Sequence, residues 1–477
     1  MFFSVSSRKS LIICSILMVL IPSTSLAWVE NILTPSGSIG GANFGGAVAI
    51  DGDYAIIGDY GERSRMGTAY IFHKENGSWI QQARLVASDS LADDYFGTSV
   101  AISGDYVVIG SPWDDDGGSN SGSAYIFKRN GATWIQEAKL TADTSAVNDN
   151  FGHAVSISGD QIAVGAPYDD GNGSASGIVY IFENSGGNWS LAQKVTASDA
   201  STGYSFGYAV SLSGDYLFIG SPYHTLMGAS AGAAYAFYYS SSAWSQQAML
   251  TAPDGATDDN FGYSLNTDGN KVVIGSPWDD DDGSGSGSAY VFNRSGTSWP
   301  YATKVTASDG SAGDLFGGSV SISGDDLLIG AKQYNSSVGK AYLYYWNSTT
   351  WSETNQIVQS NPVAWDRFGV AVALCGNDMI IGADGEGSEG TAYLIHFRPE
   401  PTENLTLTAG DLSVILTWQP NNEPDIAQYK IYGGTTPNPT TVSATNSGGT
   451  NDTTVTLSGL AGQYIPLFLC NCCGWTW

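Results

Sequence analysis

Residues 96–112 read FGTSVAISGDYVVIGSP, and variants of this pattern recur along most of the chain. A Phe-Gly pair opens each copy, and successive pairs are 52, 55, 55, 55, 55 and 52 residues apart. The pairs begin at Phe44, Phe96, Phe151, Phe206, Phe261, Phe316 and Phe368. Seven copies at nearly one period indicate an array of similar supersecondary units that stack on one another.

Each copy carries the pattern of four short strands joined by tight turns. In the second copy, residues 97–102 and 106–110 flank a Ser-Gly-Asp turn. Residues 123–127 and 134–140 follow and flank an Asn-Gly turn, which favours a hairpin. Because four antiparallel strands form one blade, the sequence predicts an all-β, seven-bladed β-propeller over residues 28–398.

The seventh copy lacks a fourth strand beginning with Trp and runs into Pro399 and Pro401 instead. Residues 28–34, WVENILT, resemble the fourth strands of other copies, such as 79–86 and 134–141. We therefore expect the N-terminal strand to complete the last blade. Such closure joins both ends of the ring and removes exposed sheet edges.

The repeats resemble those of integrin α-subunit propellers and their bacterial relatives. Phe151-Gly152 followed by Gly165-Ala166-Pro167 carries the resemblance, as does Phe96-Gly97 followed by Gly110-Ser111-Pro112. The resemblance implies a ligand surface built from two sets of loops: those between the second and third strands, and those between blades. The resemblance does not extend to the calcium-binding loops of integrins, because turns such as Ser103-Gly104-Asp105 are too short to surround an ion.

Acidic residues concentrate in these two sets of loops. The formal net charge is −28, and 26 of the 46 Asp and Glu residues lie in these loops or at their edges. Nucleic acids and anionic membranes bind basic patches, so this charge excludes both as expected partners. A cation or a basic ligand fits the charge better.

Runs of adjacent carboxylates in these loops are candidate calcium ligands, since adjacent like charges need either solvation or a cation. The candidates are Asp114, Asp115, Asp116, Asp169, Asp170, Asp279, Asp280, Asp281 and Asp282. The runs contain only the latter part of an Asp-x-Asp-x-Asp-Gly pattern. Solvated loops and turn caps are therefore the alternative interpretation.

An aromatic residue follows the Pro in four of the loops between second and third strands. These candidate ligand-binding residues are Trp113, Tyr168, Tyr223 and Trp278. An aromatic plane beside carboxylates suits sugar binding, because the ring stacks and the carboxylates accept hydrogen bonds from hydroxyls. Packing between neighbouring loops is the alternative.

The two ends of the chain differ from the repeats. Residues 1–27 are typical of a secretory signal peptide, with an apolar run after two basic residues and small residues before Trp28. No other stretch is long and apolar enough for a transmembrane helix. Residues 401–477 resemble the early strands of a fibronectin type III domain, but such a domain needs about 90 to 100 residues. We therefore expect an incomplete domain on a secreted or cell-surface protein.

The sequence offers little support for catalysis. The four His residues lie in different repeats, and no His-Glu-x-x-His or Gly-x-Ser-x-Gly motif occurs. The leading hypothesis is a non-catalytic binding or adhesion module that uses its acidic face, with or without calcium, to bind an extracellular protein or glycan. A calcium-independent carbohydrate-binding propeller is the alternative. A glycan-active enzyme or enzyme subunit is the third class.

Overall fold

The computed structural model describes residues 31–38 and 43–396 in full. It describes the backbone alone in strand residues 3–7, 10–14, 29–30, 406–410, 413–417, 428–433, 442–446, 454–458 and 467–472. The chain divides into two units: Glu30–Ile395, and Met1–Val29 together with His396–Trp477. The larger unit contains the repeats.

Seven four-stranded antiparallel sheets make up the larger unit, one for each Phe-Gly repeat. The N-terminal strands are β1 (Phe3–Ser7), β2 (Ser10–Cys14) and β3 (Val29–Leu33). Blades 1 and 2 are β4 (Phe44–Asp51), β5 (Tyr54–Asp59), β6 (Thr68–Glu75), β7 (Ser78–Leu85), and β8 (Ser99–Ser103), β9 (Tyr106–Ser111), β10 (Ser123–Asn130), β11 (Thr133–Leu140). Blades 3 and 4 are β12 (Ala154–Ser158), β13 (Gln161–Ala166), β14 (Ile178–Ser185), β15 (Asn188–Val195), and β16 (Ala209–Ser213), β17 (Tyr216–Ser221), β18 (Ala233–Ser240), β19 (Ala243–Leu250).

The remaining blades follow the same order. Blades 5 and 6 are β20 (Ser264–Thr267), β21 (Lys271–Ser276), β22 (Ser288–Asn293), β23 (Tyr301–Val305), and β24 (Phe316–Ser323), β25 (Asp326–Ala331), β26 (Lys340–Trp346), β27 (Trp351–Ile357). Blade 7 has β28 (Val372–Cys375), β29 (Asp378–Ala383) and β30 (Thr391–His396). Two four-residue helical turns, α1 (Glu62–Arg65) and α2 (Tyr334–Ser337), contain left-handed backbone and lie in the loops after β5 and β25.

The second and third strands of each blade are apolar without alternation, because neighbouring blades cover both of their faces. In blade 2, residues 107–109 and 124–126 are fully buried. The outer strand β11 instead alternates at its start, with Thr133 and Ile135 exposed on either side of buried Trp134. This burial pattern is typical of sheets that pack face to face around a common axis.

The Phe-Gly pairs have a structural role. Phe96 is fully buried, and its ring meets Tyr125 edge-on at 5.4 Å and Phe127 at 6.2 Å. The contact between neighbouring blades requires glycine at position 122. Gly122 forms a β-bridge with Phe151 and has a φ of +83°, and a Cβ on Gly122 would lie 2.1 Å from the Phe151 carbonyl oxygen. The first strands of the seven blades contact one another in a closed ring.

The N-terminal strand completes the last blade, which confirms the predicted closure. The sheet order of blade 7 is β28-β29-β30-β3. Leu33 of β3 is buried and packs in one cluster with Phe44, Ala55 and Ile380. The protein is therefore a seven-bladed β-propeller of four-stranded antiparallel blades.

The smaller unit is described only through strand backbones. β1 pairs with β2, whereas β31 (Thr406–Gly410), β32 (Ser413–Thr417), β33 (Gln428–Gly433), β34 (Val442–Asn446), β35 (Thr454–Ser458) and β36 (Leu467–Cys472) form two antiparallel three-stranded sheets. The predicted cleavage site before Trp28 lies outside the described residues. Among the helices described, none has the length and apolarity needed to cross a membrane.

Antiparallel order within the blades brings the two acidic loop sets to one end of the propeller. We call this end the loop face. Its segments are 60–67, 112–122, 167–177, 222–232, 277–287, 332–339 and 384–390 within blades, and 86–98, 141–153, 196–208, 251–263, 306–315 and 358–371 between blades.

Candidate binding face

The first Asp of the longest acidic run is built into the fold. Asp279 is almost completely buried. Its Oδ2 accepts hydrogen bonds from the Tyr290 hydroxyl at 2.7 Å and the Lys304 ammonium at 2.9 Å, and its Oδ1 accepts the Asp281 backbone N–H at 3.2 Å. Blade 2 repeats this arrangement with Asp114, Tyr125 and Lys139, where the bonds from tyrosine and lysine are 2.7 and 3.0 Å long.

Lys304 supplies a positive charge to the run of four carboxylates. Its ammonium lies 3.0 Å from Asp254, 2.9 Å from Asp279 and 2.5 Å from Asp281. Burial lowers the pKa of Lys304, but these carboxylates more than offset this and raise the pKa above its ordinary value. Burial raises the pKa of Asp254, but Lys304 and Tyr290 hold it below its ordinary value. The protein thus neutralises part of the acidic run itself.

A buried Asp and a Lys recur at matching positions in blades 2, 3 and 5, and the two form an ion pair in blades 2 and 5. In blade 3, Asp169 accepts the Tyr180 hydroxyl at 2.7 Å, and Lys194 pairs with Asp143. Lysines 139, 194 and 304 each lie 25 residues after the buried Asp of the same blade and opposite the same tyrosine of the third strand. The lysine position is therefore fixed relative to the buried carboxylate.

Blade 4 replaces both members of the pair. His224 stands where blades 2, 3 and 5 have Asp, and Met249 stands where these blades have Lys. Nδ1 of His224 accepts the Leu226 N–H at 3.1 Å, so Nε2 carries the proton and donates to Asp199 at 2.9 Å. With no buried carboxylate at position 224, no lysine is needed at 249.

The remaining acids of the long loops have local roles. Asp115, Asp170 and Asp280 each accept the backbone N–H five residues ahead, at 2.7 to 2.8 Å. Asp116 pairs with Lys139 at 2.5 Å, and Asp282 is exposed. Across the described part of the chain, no three His, Cys, Asp or Glu side chains are arranged to hold a metal ion. Eight of the nine calcium ligands named from the sequence therefore bond to lysine, tyrosine or backbone N–H groups, and Asp282 is exposed.

A second group of carboxylates closes the loops between blades. Asp94, Asp149 and Asp259 each accept the backbone N–H three residues earlier, at 2.5 to 2.7 Å. All three are buried, and this burial raises the pKa of each to about 6. Burial also raises the pKa of Asp59, at the end of β5, to about 7.

These raised pKa values predict that acidification stabilises the propeller. A carboxyl whose pKa is higher in the folded than in the unfolded chain binds more protons when folded, so stability falls as pH rises from about 4 to about 7. We expect the Tm to be roughly 5 °C higher at pH 5 than at pH 7.5, measured by scanning calorimetry. Below about pH 4 the trend reverses, because lysine-paired carboxylates such as Asp254 become protonated.

The variants Asp59→Asn and Asp94→Asn provide the control for this pH effect. In each, the asparagine side-chain oxygen still accepts the backbone N–H bond of Asn43 or Leu91, but no proton is bound or released. Each variant should therefore show a smaller gain in Tm on acidification. A wild-type Tm that is equal or higher at pH 7.5 would contradict this account.

The four predicted aromatic residues lie on the loop face and rest on neighbouring rings. Trp113 and Trp278 are 41% and 37% exposed, and they meet Tyr95 and Tyr263 edge-on at 3.9 and 5.0 Å. Tyr168 and Tyr223 are half-buried, and their rings lie 6.4 Å from His153 and 5.9 Å from Tyr208. Packing between loops thus accounts for the buried part of each ring, while more than a third of each tryptophan remains exposed.

Exposed apolar side chains concentrate on the loop face. The acidic residues of these loops did not predict this feature. Of thirteen exposed large hydrophobic residues in the fully described segments, nine lie in the loop-face segments and four on strands β3, β7, β11 and β23. The nine are Leu91, Trp113, Val147, Leu226, Met227, Trp278, Val358, Val363 and Trp365. The turns at the opposite end of the propeller have none among the same described residues.

The charge of the loop face remains strongly negative after its ion pairs are included. Four cations belong to it, Arg63, Arg65, Lys332 and Arg367. Five more reach its carboxylates from the blades, namely Arg84, Lys139, Lys194, Lys304 and Lys340. The face therefore sets 26 acids against nine cations, and the apolar side chains project from this acidic surface.

Seven four-stranded blades with acidic loops at one end define a repeat propeller with one specialised face. Comparison with known families gives the same number of repeats: segments 28–72, 79–127, 134–182, 189–237, 244–292, 299–344 and 351–395 match the family described as FG-GAP repeat. The chain belongs to the FG-GAP repeat family. The first match begins at Trp28 and includes the closing strand β3.

Other comparisons are distant. No curated protein matches the chain. Among solved structures, the chain is similar to Sqt1 of Saccharomyces cerevisiae, with 11% identity and a TM-score of 0.40, over 83% of this chain and 96% of that one. A likeness at this level has no bearing on function.

Proposed function

We propose that the protein is a non-catalytic binding module, secreted or held at a cell surface, whose loop face engages an extracellular protein or glycan. The concentration of exposed apolar side chains on this one face is the observation that carries the proposal. Exposed apolar surface is costly in water, and its concentration in one region marks interaction sites. Integrin-like ligand binding, suggested by the repeats, would use the same two loop sets.

The proposal extends to the rest of the chain. An N-terminal signal peptide accounts for export. The two three-stranded sheets formed by β31 to β36 support a β-sandwich tail of the fibronectin type III kind. Such a tail would hold the propeller as one module of an extracellular protein with an adhesive role.

We further propose that binding does not require calcium, because lysines 139 and 304 already occupy the centres of the acidic sets. A bound ion would have to displace a half-buried ammonium group that donates to three carboxylates. Wild-type Tm and ligand binding should therefore be the same in millimolar calcium and in EDTA. A higher Tm in calcium would restore the calcium hypothesis.

Two ligand collections test the binding function directly. The full chain is offered to a glycan array and to a phage-displayed library of random peptides, and any ligand recovered is mapped by hydrogen exchange. We expect protection of amides in loop-face segments. Failure to recover a ligand from either collection, or protection only at opposite turns such as 103–106 and 158–161, would contradict the proposal.

A calcium-independent carbohydrate-binding propeller is the second candidate, and Trp113 and Trp278 favour it. Their exposed rings lie in acidic loops, at equivalent positions in blades 2 and 5. If this candidate is right, recovered ligands are glycans. Their binding is then lost in the double variant Trp113→Ala, Trp278→Ala and survives chelation.

A further inference from the structure

Trp365 occupies a backbone position at which a bulky side chain is unfavourable. Its φ is +75°, in the left-handed region, where bulky side chains are disfavoured. Five other loops between blades have a positive φ at the same place, three residues before Phe, and use only Asp, Asn or Gly there. Those residues are Asp93, Asn148, Gly203, Asp258 and Gly313.

Trp365 also gains little from burial. Its side chain is 70% exposed, the highest value among the thirteen exposed large hydrophobic residues. In the fully described segments, it makes no ring contact and no cation contact. The free protein thus bears both a strained backbone position and an exposed indole, so a role in stability does not explain the residue.

The loop around Trp365 is held in place, so its apolar side chains are pre-organised. The Asp366 carboxylate accepts the Val363 N–H at 2.6 Å and also pairs with the Gln359 amide. The Asp366 carbonyl accepts the Gly385 N–H at 3.1 Å, and a Cβ on Gly385 would lie 1.9 Å from the Trp365 carbonyl oxygen. The loop is therefore clamped against the adjacent loop of blade 7.

Two aliphatic residues of the same loop are exposed with Trp365. Val358 and Val363 are 51% and 62% exposed. We call Val358, Val363 and Trp365 the Trp365 patch. An exposed tryptophan in a fixed loop that also exposes aliphatic side chains is typical of the anchors that dominate protein–protein interfaces, and a pre-organised loop loses little entropy on binding.

We infer that the Trp365 patch is the docking site for apolar side chains of a positively charged polypeptide. This inference rests on the proposed function of the loop face and names its partner class. Valine side chains offer no hydrogen bonds to sugar hydroxyls, which favours a polypeptide over a glycan at this patch. The loops around the patch, 332–339, 358–371 and 384–390, contain four acids against two cations, which favours Lys and Arg residues flanking the docked side chains.

The test uses the full chain and peptides selected from a phage-displayed random library. We expect selected peptides to combine an aromatic or aliphatic residue with several Lys or Arg residues. In Trp365→Asn, which restores a residue used at this position in another repeat, the affinity for these peptides should fall by about 30-fold. The Tm of the same variant should stay the same or rise by about 1–2 °C, because asparagine tolerates the left-handed backbone.

Tyr301→Ala is the matched control, since it removes an exposed aromatic side chain from the outer strand β23, outside the loop face. It should change the affinity for the selected peptides by less than about threefold. The inference is wrong if Trp365→Asn binds the peptides as wild type does, if selected peptides are acidic, or if the variant lowers the Tm. Peptides or glycans that protect other loop-face segments and are indifferent to Trp365→Asn would leave the proposed function standing while removing this site.

Discussion

Replacing Lys304 by alanine is expected to destabilise the propeller by about 3 kcal/mol, because removing one partner of a buried ion pair leaves the other charge uncompensated. Asp279 is buried and would keep only the Tyr290 hydroxyl and one backbone N–H as donors. Asp254 and Asp281 would lose the cation that separates them. Urea denaturation at pH 7 measures the change in the free energy of unfolding.

Blade 4 supplies the matched control for Lys304→Ala. The double variant Asp279→His, Lys304→Met installs in blade 5 the pair that blade 4 uses at 224 and 249. The new histidine has the same potential partners, an N–H two residues ahead and the carboxylate of Asp254. We expect the double variant to recover most of the lost stability. If it is no more stable than Lys304→Ala, the buried charge is not the reason for the loss.

Calcium provides a second readout of the same variant. Without Lys304, three carboxylates face one another with no cation, and hard divalent ions favour such oxygen sets. Calcium should therefore raise the Tm of Lys304→Ala while leaving the wild type and the double variant unchanged. An equal response of all three proteins would show that the lysine does not take the place of an ion.

The architecture of the propeller could be predicted because it follows from local periodicity. The spacing of the Phe-Gly pairs gave seven blades, and the likeness of residues 28–34 to other fourth strands gave the closure by β3. Antiparallel order then placed the acidic loops on one face. None of these steps needs knowledge of which side chains touch across a blade.

The role of the acidic runs could not be predicted in the same way, because a run of carboxylates does not show where its cation lies. Lys139 and Lys304 are 25 residues further along the chain and approach from the fourth strand. A signal existed: the exchange of Asp with His at 224 accompanies the exchange of Lys with Met at 249. Comparing repeats position by position, rather than counting acids by loop, would have found it.

The exposed position of Trp365 could not be predicted from the sequence for a related reason. Its loop belongs to the shorter last interval of 52 residues, and no Pro-aromatic pattern marks it. A tryptophan in a sequence is usually assigned to the core or to a strand, and only the backbone conformation shows that this one stands at a glycine-like position. Exposure and φ are properties of the fold, so the composition of the loop could not reveal them.

Removal of the closing strand is expected to have the largest effect on the fold. A chain that starts at Pro35 lacks β3, exposes the edge of β30, and loses Leu33 from its cluster with Phe44. Lost burial and lost sheet hydrogen bonds should together lower the free energy of unfolding by about 5 kcal/mol. The free edge should also promote association between chains, because unpaired strands are templates for pairing.

A chain that starts at Trp28 is the control, since it keeps β3 and removes only the preceding segment. Its urea midpoint should equal that of the full chain, whereas the chain from Pro35 should unfold earlier and elute as oligomers in size-exclusion chromatography. An excess of a synthetic peptide of residues 28–38 should bind the open blade and restore part of the lost stability, because a ligand of the folded state stabilises it. Equal midpoints for both shortened chains would mean that blade 7 holds with three strands, and that the ring does not depend on its N-terminal closure.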